Sequence, residues 1–239
     1  MSRLPLLAIA VATLSACGVV HAEGGDGGPS GSRSFSVRGF DRVELRGSDN
    51  VIVKVGGAES VTATGPQDVL DRLEIEVVDG KLRVGREGKW HFGWSRDRGS
   101  AVVTVTLPRL RGASIAGSGD MKVDRVQATS FEGAVAGSGN LAIGTLQADA
   151  ASFDIAGSGG TSLTGQAKSI EVSIAGSGSL SAQGLKAERA KISIAGSGDV
   201  RAQVSGEADV SILGSGDVEL VGNPRCKVSK MGSGNVRCG

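Results

Sequence analysis

Tyrosine is absent from this sequence, and aromatic residues make up only 3% of its 239 residues. The chain has only two histidines and five prolines, whereas glycine occurs 39 times. Glycine adopts turn conformations that other residues avoid, so this composition predicts a thin, repetitive core with many turns. The scarcity of histidine and tyrosine also leaves few side chains for general acid–base catalysis.

An excess of charge of one sign is also missing. The sequence has 26 lysine and arginine residues and 25 aspartate and glutamate residues, which gives a formal net charge of +1. Nucleic-acid binding requires a basic surface that neutralises phosphates, so we exclude nucleic acid as a partner. A balanced surface is compatible with protein and glycan partners alike.

Long hydrophobic runs are limited to the N-terminus, where residues 4–16 follow Arg3. This run is too short to span a bilayer as a stable helix and has the form of the apolar region of a signal peptide. Leu14-Ser15-Ala16-Cys17 at its end resembles the lipobox of bacterial lipoproteins, in which the chain is cut before the cysteine and the thiol is acylated. Cys17 is therefore the predicted lipidation site. Cleavage after Ala22 is the alternative, because small residues also precede that position.

The tripeptide Gly-Ser-Gly occurs seven times in the second half of the chain, at steps of 20, 20, 19, 20, 18 and 18 residues. A fixed period near twenty residues is typical of a solenoid, in which each repeat is one turn of a coil. We therefore predict an all-β solenoid with about 18–20 residues per coil. The first glycines of the repeats are Gly117, Gly137, Gly157, Gly176, Gly196, Gly214 and Gly232.

Apolar residues recur at fixed distances from each Gly-Ser-Gly. The residue two positions before the first glycine is isoleucine or valine in six of the seven repeats. Apolar residues also recur four and six positions after it, generally with a polar residue between them. Such columns are expected when successive coils stack as parallel strands and bury the same position, with the alternate positions facing solvent.

The Gly-Ser-Gly tripeptide itself predicts a corner between strands. In the first repeat, Gly117 and Gly119 would let the backbone turn where a side chain would clash, and Ser118 would begin a column of serines. The next residue is often Asp or Asn, whose side chain can bond the turn backbone. Calcium-binding repeats also combine glycine with aspartate, but here Asn, Ser or Gly often replaces the acid. We therefore predict turn capping, with no metal ion and no cofactor.

Residues 34–110 show weaker β patterns. Apolar and charged residues alternate over 51–55 and 73–77, which predicts strands with one solvated face. Asp79-Gly80, between two such strands, predicts a tight hairpin turn. The segment 66–72 begins with proline and predicts one short helix or a turn.

One stretch of this part, residues 85–99, breaks the pattern. It contains both tryptophans of the chain in an aromatic cluster surrounded by basic residues. The cluster consists of Trp90, His91, Phe92 and Trp94. Such a cluster could form a contact surface for sugar rings, anionic polymers or lipid headgroups. The alternative is structural, a long hairpin whose tryptophans pack over the open end of the coil.

Two cysteines remain after Cys17, and an even pair in an exported chain predicts a disulfide. Cys226 and Cys238 lie six residues before and six residues after Gly232. Their two columns hold apolar residues in other coils and are expected to face inward. We therefore predict that the two sulfurs bond across the last coil.

Four stretches of the chain carry a resemblance to a known bacterial family. The most specific are the run from Val103 to Leu110 and the run from Ala113 to Asp120, which contains the first Gly-Ser-Gly. Residues 65–70 and 79–84 are also similar, and the resemblance covers about residues 35–238. The family is called putative auto-transporter adhesin, head GIN domain. The resemblance implies a right-handed parallel β-helix that is exported and often lipid-anchored, and it transfers no catalytic residues.

These features divide the chain into three parts. Residues 1–16 are predicted to be a lipoprotein signal peptide, and residues 17–33 a flexible Gly/Ser-rich tether. Residues 34–239 are predicted to form one β-helix domain, with irregular coils over 34–110 and regular coils over 111–239. The lipid is expected to anchor the protein to a membrane of the cell envelope, on the periplasmic side or at the cell surface.

The sequence predicts a binding module rather than an enzyme. Outward positions of the coils are dominated by Ser, Thr, Ala and Gln, and no convergent pair of catalytic groups emerges. The main prediction is an exported, lipid-anchored, non-enzymatic adhesin-like module that binds a glycan, a lipid or an envelope protein. The alternative is a structural envelope protein that forms homo-oligomers. A third interpretation is a polysaccharide-active β-helix enzyme.

Overall fold

The computed structural model describes residues 30–86 and 99–239. Of these residues, 75% lie in β-strands and 2% in a helix, and successive parallel strands stack as the coils of a β-solenoid of about six turns. The fold class predicted from the repeat is thereby confirmed.

The part of the chain up to the first Gly-Ser-Gly contributes short strands and one helical turn. They are β1 Ser30–Phe35, β2 Arg42–Gly47, β3 Asn50–Val55, β4 Ser60–Pro66, α1 Gln67–Leu70, β5 Leu73–Val78, β6 Lys81–Arg86, β7 Val102–Leu107 and β8 Gly112–Gly117. Five long strands follow, each of which continues around most of one coil. They are β9 Met121–Gly137, β10 Asn140–Gly157, β11 Gly160–Gly176, β12 Ser179–Gly196 and β13 Asp199–Gly214. The last strands are β14 Val218–Val221, β15 Arg225–Met231 and β16 Val236–Cys238.

The stacked strands form three faces. The first face holds the residues that start each long strand, in the order β1-β4-β7-β3, then β9 to β13, then β14 and β16. The third face holds the residues that end each long strand, in the order β5-β6-β2-β8, then β9 to β13, then β15. The second face lies between them and is formed by the middle of the long strands, such as residues 126–128 of β9.

The Gly-Ser-Gly repeats set the register of the stack. Gly137 of β9 lies opposite Gly157 of β10 in the ladder, and the later coils continue this alignment. The column two positions before the glycine is at most 2% exposed from Ile115 to Ile212. The predicted apolar columns are thus confirmed. Each side chain that is fully buried in this way stabilises the fold by about 1.5–3 kcal/mol.

Two phenylalanine rings fill the core between β9 and β10. Phe131 and Phe153 are each 1% exposed, and their ring centroids lie 6.1 Å apart with the planes tilted by 50°. Their partners across the ladder are small, because Ala151 lies opposite Phe131 and Gly133 lies opposite Phe153. A β-carbon on Gly133 would collide with the Phe153 ring. A large residue on one coil is therefore accommodated by a small residue on the next.

The N-terminal coils differ from the others because three of their strand pairs are antiparallel: β1 with β4, β4 with β7, and β5 with β6. The β5–β6 pair is the predicted hairpin, and Asp79 and Gly80 at its turn have φ values of 52° and 72°, as a two-residue turn of this type requires. The short helix expected within residues 66–72 is α1. β1 pairs with β4 from Ser30 onward, so its first four residues lie in the segment that the sequence assigned to the tether.

Each Gly-Ser-Gly lies at the corner between the third face and the first. The first glycine has a positive φ, for example 127° at Gly137, and its carbonyl oxygen accepts hydrogen bonds from the next corner. The N–H groups of Ser138 and Gly139 donate to the carbonyl of Gly117 at 3.0 and 3.1 Å. A β-carbon on Gly137 or Gly139 would overlap a carbonyl oxygen of the preceding corner. The direct stacking of backbone on backbone is therefore what requires glycine here.

The last coil contains the predicted disulfide. Cys226 of β15 and Cys238 of β16 are joined by an S–S bond of 2.02 Å, with their Cα atoms 6.6 Å apart. Their register partners one coil earlier are Ala208 and Leu220, which are buried, so the two columns do face inward. The bond connects the third face to the first face at the C-terminal end of the solenoid.

We expect replacement of both cysteines with serine to loosen the last coil without unfolding the others. The bonded cysteines are 12 residues apart in sequence, and a closed loop of that size contributes about 2–3 kcal/mol on the chain-entropy account. Hydrogen exchange should become faster over residues 218–238 and change little over residues 121–214. Wild-type protein in reductant should behave like the variant. Unchanged exchange in the last coil would contradict this expectation.

Candidate functional site

The aromatic cluster predicted as a contact surface lies outside the described residues, in the segment 87–98. Its residues are Trp90, His91, Phe92 and Trp94. Their role as a ligand contact stays a prediction. The structure does describe the residues on either side of this segment, Arg86 and Gly99, and what holds them.

A buried carboxylate joins the two sides of that segment. Asp49 is 0% exposed and accepts hydrogen bonds from Nε and Nη2 of Arg86 at 2.8 and 2.6 Å. The same carboxylate accepts the N–H of Ala101 at 2.7 Å, and Nη2 of Arg86 also donates to the carbonyl of Gly99 at 3.1 Å. Charge-assisted, two-point bonds of this kind are among the strong ones in proteins. We call Asp49, Arg86, Gly99 and Ala101 the clamp.

Asp49 is not among the site residues predicted from the sequence, although the sequence contains a signal for it. Gly47 lies opposite Gly117 in the ladder, so Gly47-Ser48-Asp49-Asn50 is the first corner of the stack. Asp49 occupies the position of the second glycine, which is buried in the later corners. An acid at an inward position needs a buried partner, and Arg86 at the end of β6 supplies it. Aligning this tetrapeptide with the later Gly-Ser-Gly corners would have revealed the substitution.

The position after each corner forms a hydrogen-bonded ladder between coils. Oδ1 of Asn50 accepts the N–H of Asp120 at 3.1 Å, and Oδ1 of Asp120 accepts the N–H and the side-chain amide of Asn140 at 2.9 and 3.0 Å. Asp217 binds the same two groups of Asn235 at 2.9 and 3.0 Å. The sequence predicted that these side chains bond the turn backbone. The backbone that they bond is that of the corresponding turn in the next coil, because the corners stack in register.

The pKa of Asp217 is lowered from its usual range by the hydrogen bonds from Asn235, first from the backbone N–H and then from the side-chain amide. A depressed pKa in the folded state means that the carboxylate stabilises the fold above the ordinary aspartate pKa of about 4. That contribution is lost as the pH falls through the lower value of the folded state.

We expect Asn235→Ala to raise the pKa of Asp217 only part of the way to its ordinary value, because the backbone donor remains. Carboxyl-carbon NMR titration of Asp217 measures this change. Ser233→Ala, which changes the neighbouring corner residue, is the control and should leave the pKa of Asp217 unchanged. A titration of Asp217 in Asn235→Ala that matches the wild type would show that the side-chain amide has no effect.

The second face carries a shallow, open groove of about 720 Å³. Its floor is a column of alanines, flanked on each side by a column of polar side chains. One column contains Gln127, Gln147, Gln166 and Lys186, and the other contains Thr129, Asp149, Lys168 and Glu188. Lys168 Nζ lies 2.7 Å from Oδ1 of Asp149, and this hydrogen bond raises the pKa of Lys168. The groove repeats its polar groups at the strand spacing of about 4.8 Å, which suits an extended ligand.

Charged side chains on the described surface pair along the columns rather than converge on one point. On the third face, for example, Nζ of Lys191 donates to Glu171 at 2.7 Å, which raises the pKa of Lys191. Within residues 30–86 and 99–239, no group of three or more His, Cys, Asp or Glu side chains is placed to hold a metal ion. No helix in that part of the chain has the length and apolar character needed to cross a membrane. Cys17 precedes the described residues.

The described structure defines the class of the protein as a β-solenoid repeat protein, in which one coil recurs along an axis and presents columns of like side chains. Within this class, the chain belongs to the family described as "putative auto-transporter adhesin, head GIN domain", which matches residues 39–224, well over half of the chain. The resemblance identified in the sequence is confirmed. Membership in this adhesin-like family indicates an exported envelope or surface protein.

Solved structures share this fold at low sequence identity. A putative adhesin from Bacteroides fragilis is 22% identical, with a TM-score of 0.78 over 87% of this chain and 96% of the other. A putative lipid binding protein from Parabacteroides distasonis is 23% identical, with a TM-score of 0.68 over 89% and 98%. A putative adhesin from the same species is 23% identical, with a TM-score of 0.65 over 87% and 96%. No curated protein sequence matches the chain significantly.

Proposed function

We propose that this protein is a lipid-anchored, non-enzymatic binding module of the bacterial envelope. The acyl group on Cys17 holds it to a membrane through the Gly/Ser-rich tether. The segment 87–98 contacts a glycan, a lipid headgroup or an envelope protein through its aromatic cluster. The adhesin-like family supports this proposal, as does the name of one structural neighbour, a putative lipid binding protein.

The single observation that carries the proposal is the clamp. Both tryptophans of the chain lie in the 87–98 segment, and Asp49 holds the residues on each side of it. The Asp49 carboxyl is 1% exposed and Arg86 is 17% exposed, so this pair is shielded from solvent and fixes the two sides relative to the β-solenoid. A binding segment benefits from such fixation, because less conformational entropy is lost when the ligand binds.

A direct test compares the wild type with Trp90→Ala/Trp94→Ala on a glycan array and on vesicles with and without anionic phospholipid. We expect the double variant to lose binding at least about tenfold, since buried aromatic anchors contribute about 2 kcal/mol or more each. The matched control is Leu213→Ala/Ile52→Ala, which removes two exposed apolar side chains elsewhere, 58% and 37% exposed. A tryptophan variant that binds everything the wild type binds would remove the segment from recognition.

The anchor and the absence of catalysis have separate tests. Intact-mass measurement of the mature protein should show a chain that begins at an acylated Cys17, and Cys17→Ser should abolish the acylation. A mature chain that begins at Glu23 would instead support cleavage after Ala22. Release of reducing or unsaturated sugars from envelope polysaccharide by the wild type would overturn the non-enzymatic part of the proposal.

A structural, homo-oligomerising envelope protein is the second candidate function. The observation that favours it is the exposed strand edge at the C-terminal end of the solenoid. Val228 and Met231 of β15 are 47% and 71% exposed there. Open strand edges tend to pair with other chains unless they are covered or blocked.

A further inference from the structure

The C-terminal end of the third face is an open, basic strand edge. Among the described residues, β15 pairs only with β13, so its other side presents free backbone groups. The strand carries three basic residues and no acidic one, over the sequence RCKVSKM. Arg225 and Lys227 form no ion pair with any described residue. Val228 is 47% exposed, whereas its register partner Val210, one coil earlier, is 2% exposed.

The N-terminal end of the same face is an open, acidic strand edge. Among the described residues, β5 pairs only with β6. The strand reads LEIEVV and carries two acidic residues and no basic one. Glu74 is exposed and forms no ion pair in the described part of the chain, and Glu76 reaches only Arg83 of β6, at 3.4 Å.

The charges of the third face alternate in sign from strand to strand toward each edge. Near the C-terminal edge, one outward column reads Glu171, Lys191, Asp209 and Lys227 on β11, β12, β13 and β15. Near the N-terminal edge, another reads Glu44, Arg83 and Glu76 on β2, β6 and β5. In the second column, Arg83 lies 3.4 Å from both Glu44 and Glu76. The first column ends on a positive charge and the second on a negative one.

We propose that β15 of one molecule pairs with β5 of a second copy of this chain, so that the molecules associate head to tail along the solenoid axis. Joining the two edges continues the alternation of charge when Lys227 lies opposite Glu76, since Arg225 and Lys227 then also lie diagonally next to Glu76 and Glu74, respectively. In this register Val228 lies opposite Ile75 and diagonally next to Val77, so these half-buried inward residues of β5 cover it, and Ser229 lies opposite Glu74. Cross-strand pairs of opposite charge and of apolar residues are the contacts that stabilise a sheet.

The strand directions allow this pairing. β15 runs parallel to β13, and β6 runs parallel to β2 and β8, whereas β5 runs antiparallel to β6. When a second solenoid continues the stack, its β5 therefore lies antiparallel to β15. The two strands are matched in length, at six and seven residues. An antiparallel junction of that size is a complete strand pair rather than a single contact.

The same charges oppose association of like ends. Two C-terminal edges would bring the basic residues of β15 against one another, and two N-terminal edges would do the same with Glu74 and Glu76. Like charges placed directly opposite each other destabilise a strand pair. Of the pairings between these two described edges, the heterologous one alone brings opposite charges together, and a heterologous contact that does not close into a ring produces an open chain of molecules.

Charge reversal of each edge tests the proposal in the full chain, purified in mild detergent. Glu74→Lys/Glu76→Lys makes both edges basic, and Arg225→Glu/Lys227→Glu makes both edges acidic. We expect sedimentation velocity at low ionic strength to show concentration-dependent assembly of the wild type and at least about tenfold weaker association of each variant alone. Mixing the two variants should restore assembly, because every basic edge then finds an acidic one.

The matched control is Lys122→Glu/Lys186→Glu, which changes the net charge by the same amount at exposed positions on the sides of the stack. It should assemble like the wild type.

Thermal melting by circular dichroism identifies any variant that fails to fold. High salt should weaken the assembly, because salt screens the charges of the two edges. If the wild type and the mixture of the two charge-reversal variants both remain monomeric, the proposal is overturned. That result would mean that the edge charges protect against association. Restored assembly does not depend on the 87–98 segment, so Trp90→Ala/Trp94→Ala should assemble normally.

A cysteine pair locates the contact. Glu74→Cys/Ser229→Cys places one thiol on each edge, at opposite ends of the third face, where no bond within one molecule is possible. Under mild oxidation we expect the double variant to give a ladder of disulfide-linked multimers on a non-reducing gel. Each single variant, Glu74→Cys or Ser229→Cys, should give no species larger than a dimer. Equal ladders from Glu74→Cys/Lys122→Cys, whose second thiol lies on the first face, would contradict the assigned edges.

Discussion

Replacement of Gly137 with alanine is expected to lower the free energy of unfolding by at least about 3 kcal/mol. The backbone of Gly137 has a φ of 127°, which residues with a side chain rarely adopt, and a β-carbon there would overlap the carbonyl oxygen of Gly117. That oxygen already accepts the N–H groups of Ser138 and Gly139. It cannot move away without breaking the stack between two coils. Urea unfolding followed by far-UV circular dichroism measures the change.

Gly47→Ala is the matched control, since Gly47 begins the same column of glycines. Its φ is 107°, so alanine there is strained in a similar way, but no atom lies within 4 Å of the added β-carbon. The control should lose only the strain energy, about 1–3 kcal/mol. Equal losses in the two variants would show that the backbone conformation alone, and not the stacking of coils, requires glycine at the corner.

Replacement of Asp49 with alanine is the second change with a large expected effect, a loss of about 3–5 kcal/mol. It removes both hydrogen bonds to Arg86 and the acceptor of the Ala101 N–H, and it leaves the guanidinium in a site that is mostly shielded from water. Breaking a buried ion pair is costly because the remaining charge loses bonds that had offset its lost hydration. Thermal and urea unfolding measure the loss.

A double-mutant cycle separates the charge pair from the rest of the clamp. Asp49→Ala/Arg86→Ala should cost clearly less than the sum of the two single variants, because both single variants break the same ion pair. Asp71→Ala provides the comparison at the surface, since Asp71 pairs with Arg33 at 2.9 Å but the two side chains are 55% and 42% exposed. Its cost should stay below about 1 kcal/mol. Strict additivity of Asp49→Ala and Arg86→Ala would mean that the pair does not act as a unit.

The regular coils could be predicted in detail because their information is local and repeated. Each Gly-Ser-Gly lies at a fixed distance from the same apolar positions, so the corners, the buried columns and the partner of Cys226 all follow from one alignment of the repeats. The hairpin at Asp79-Gly80 was also predictable, because a two-residue turn with positive φ at both positions strongly selects these residue types.

The irregular coils could be predicted only in outline. The ladder places Gly47 on Gly117 although the two are 70 residues apart in sequence and a hairpin, a helix and the 87–98 segment lie between them. Nothing local to Asp49 indicates that Arg86 will approach it, because that contact depends on how β2, β3 and β6 stack. Similarly, β1 begins at Ser30 because it pairs with the edge of β4, although the composition of its first residues predicts a flexible tether.

The sequence by itself determined the solenoid, the length of its coils, which residues line its core and where its disulfide lies. These properties depend on a pattern that recurs every 18–20 residues, in which apolar residues lie at fixed distances from each Gly-Ser-Gly. The tertiary structure alone decided that one buried carboxylate holds both sides of the aromatic segment and that a basic edge and an acidic edge end the same face. Those features depend on contacts between distant strands, and the energy of a charge depends on what surrounds it in three dimensions rather than on its neighbours along the chain.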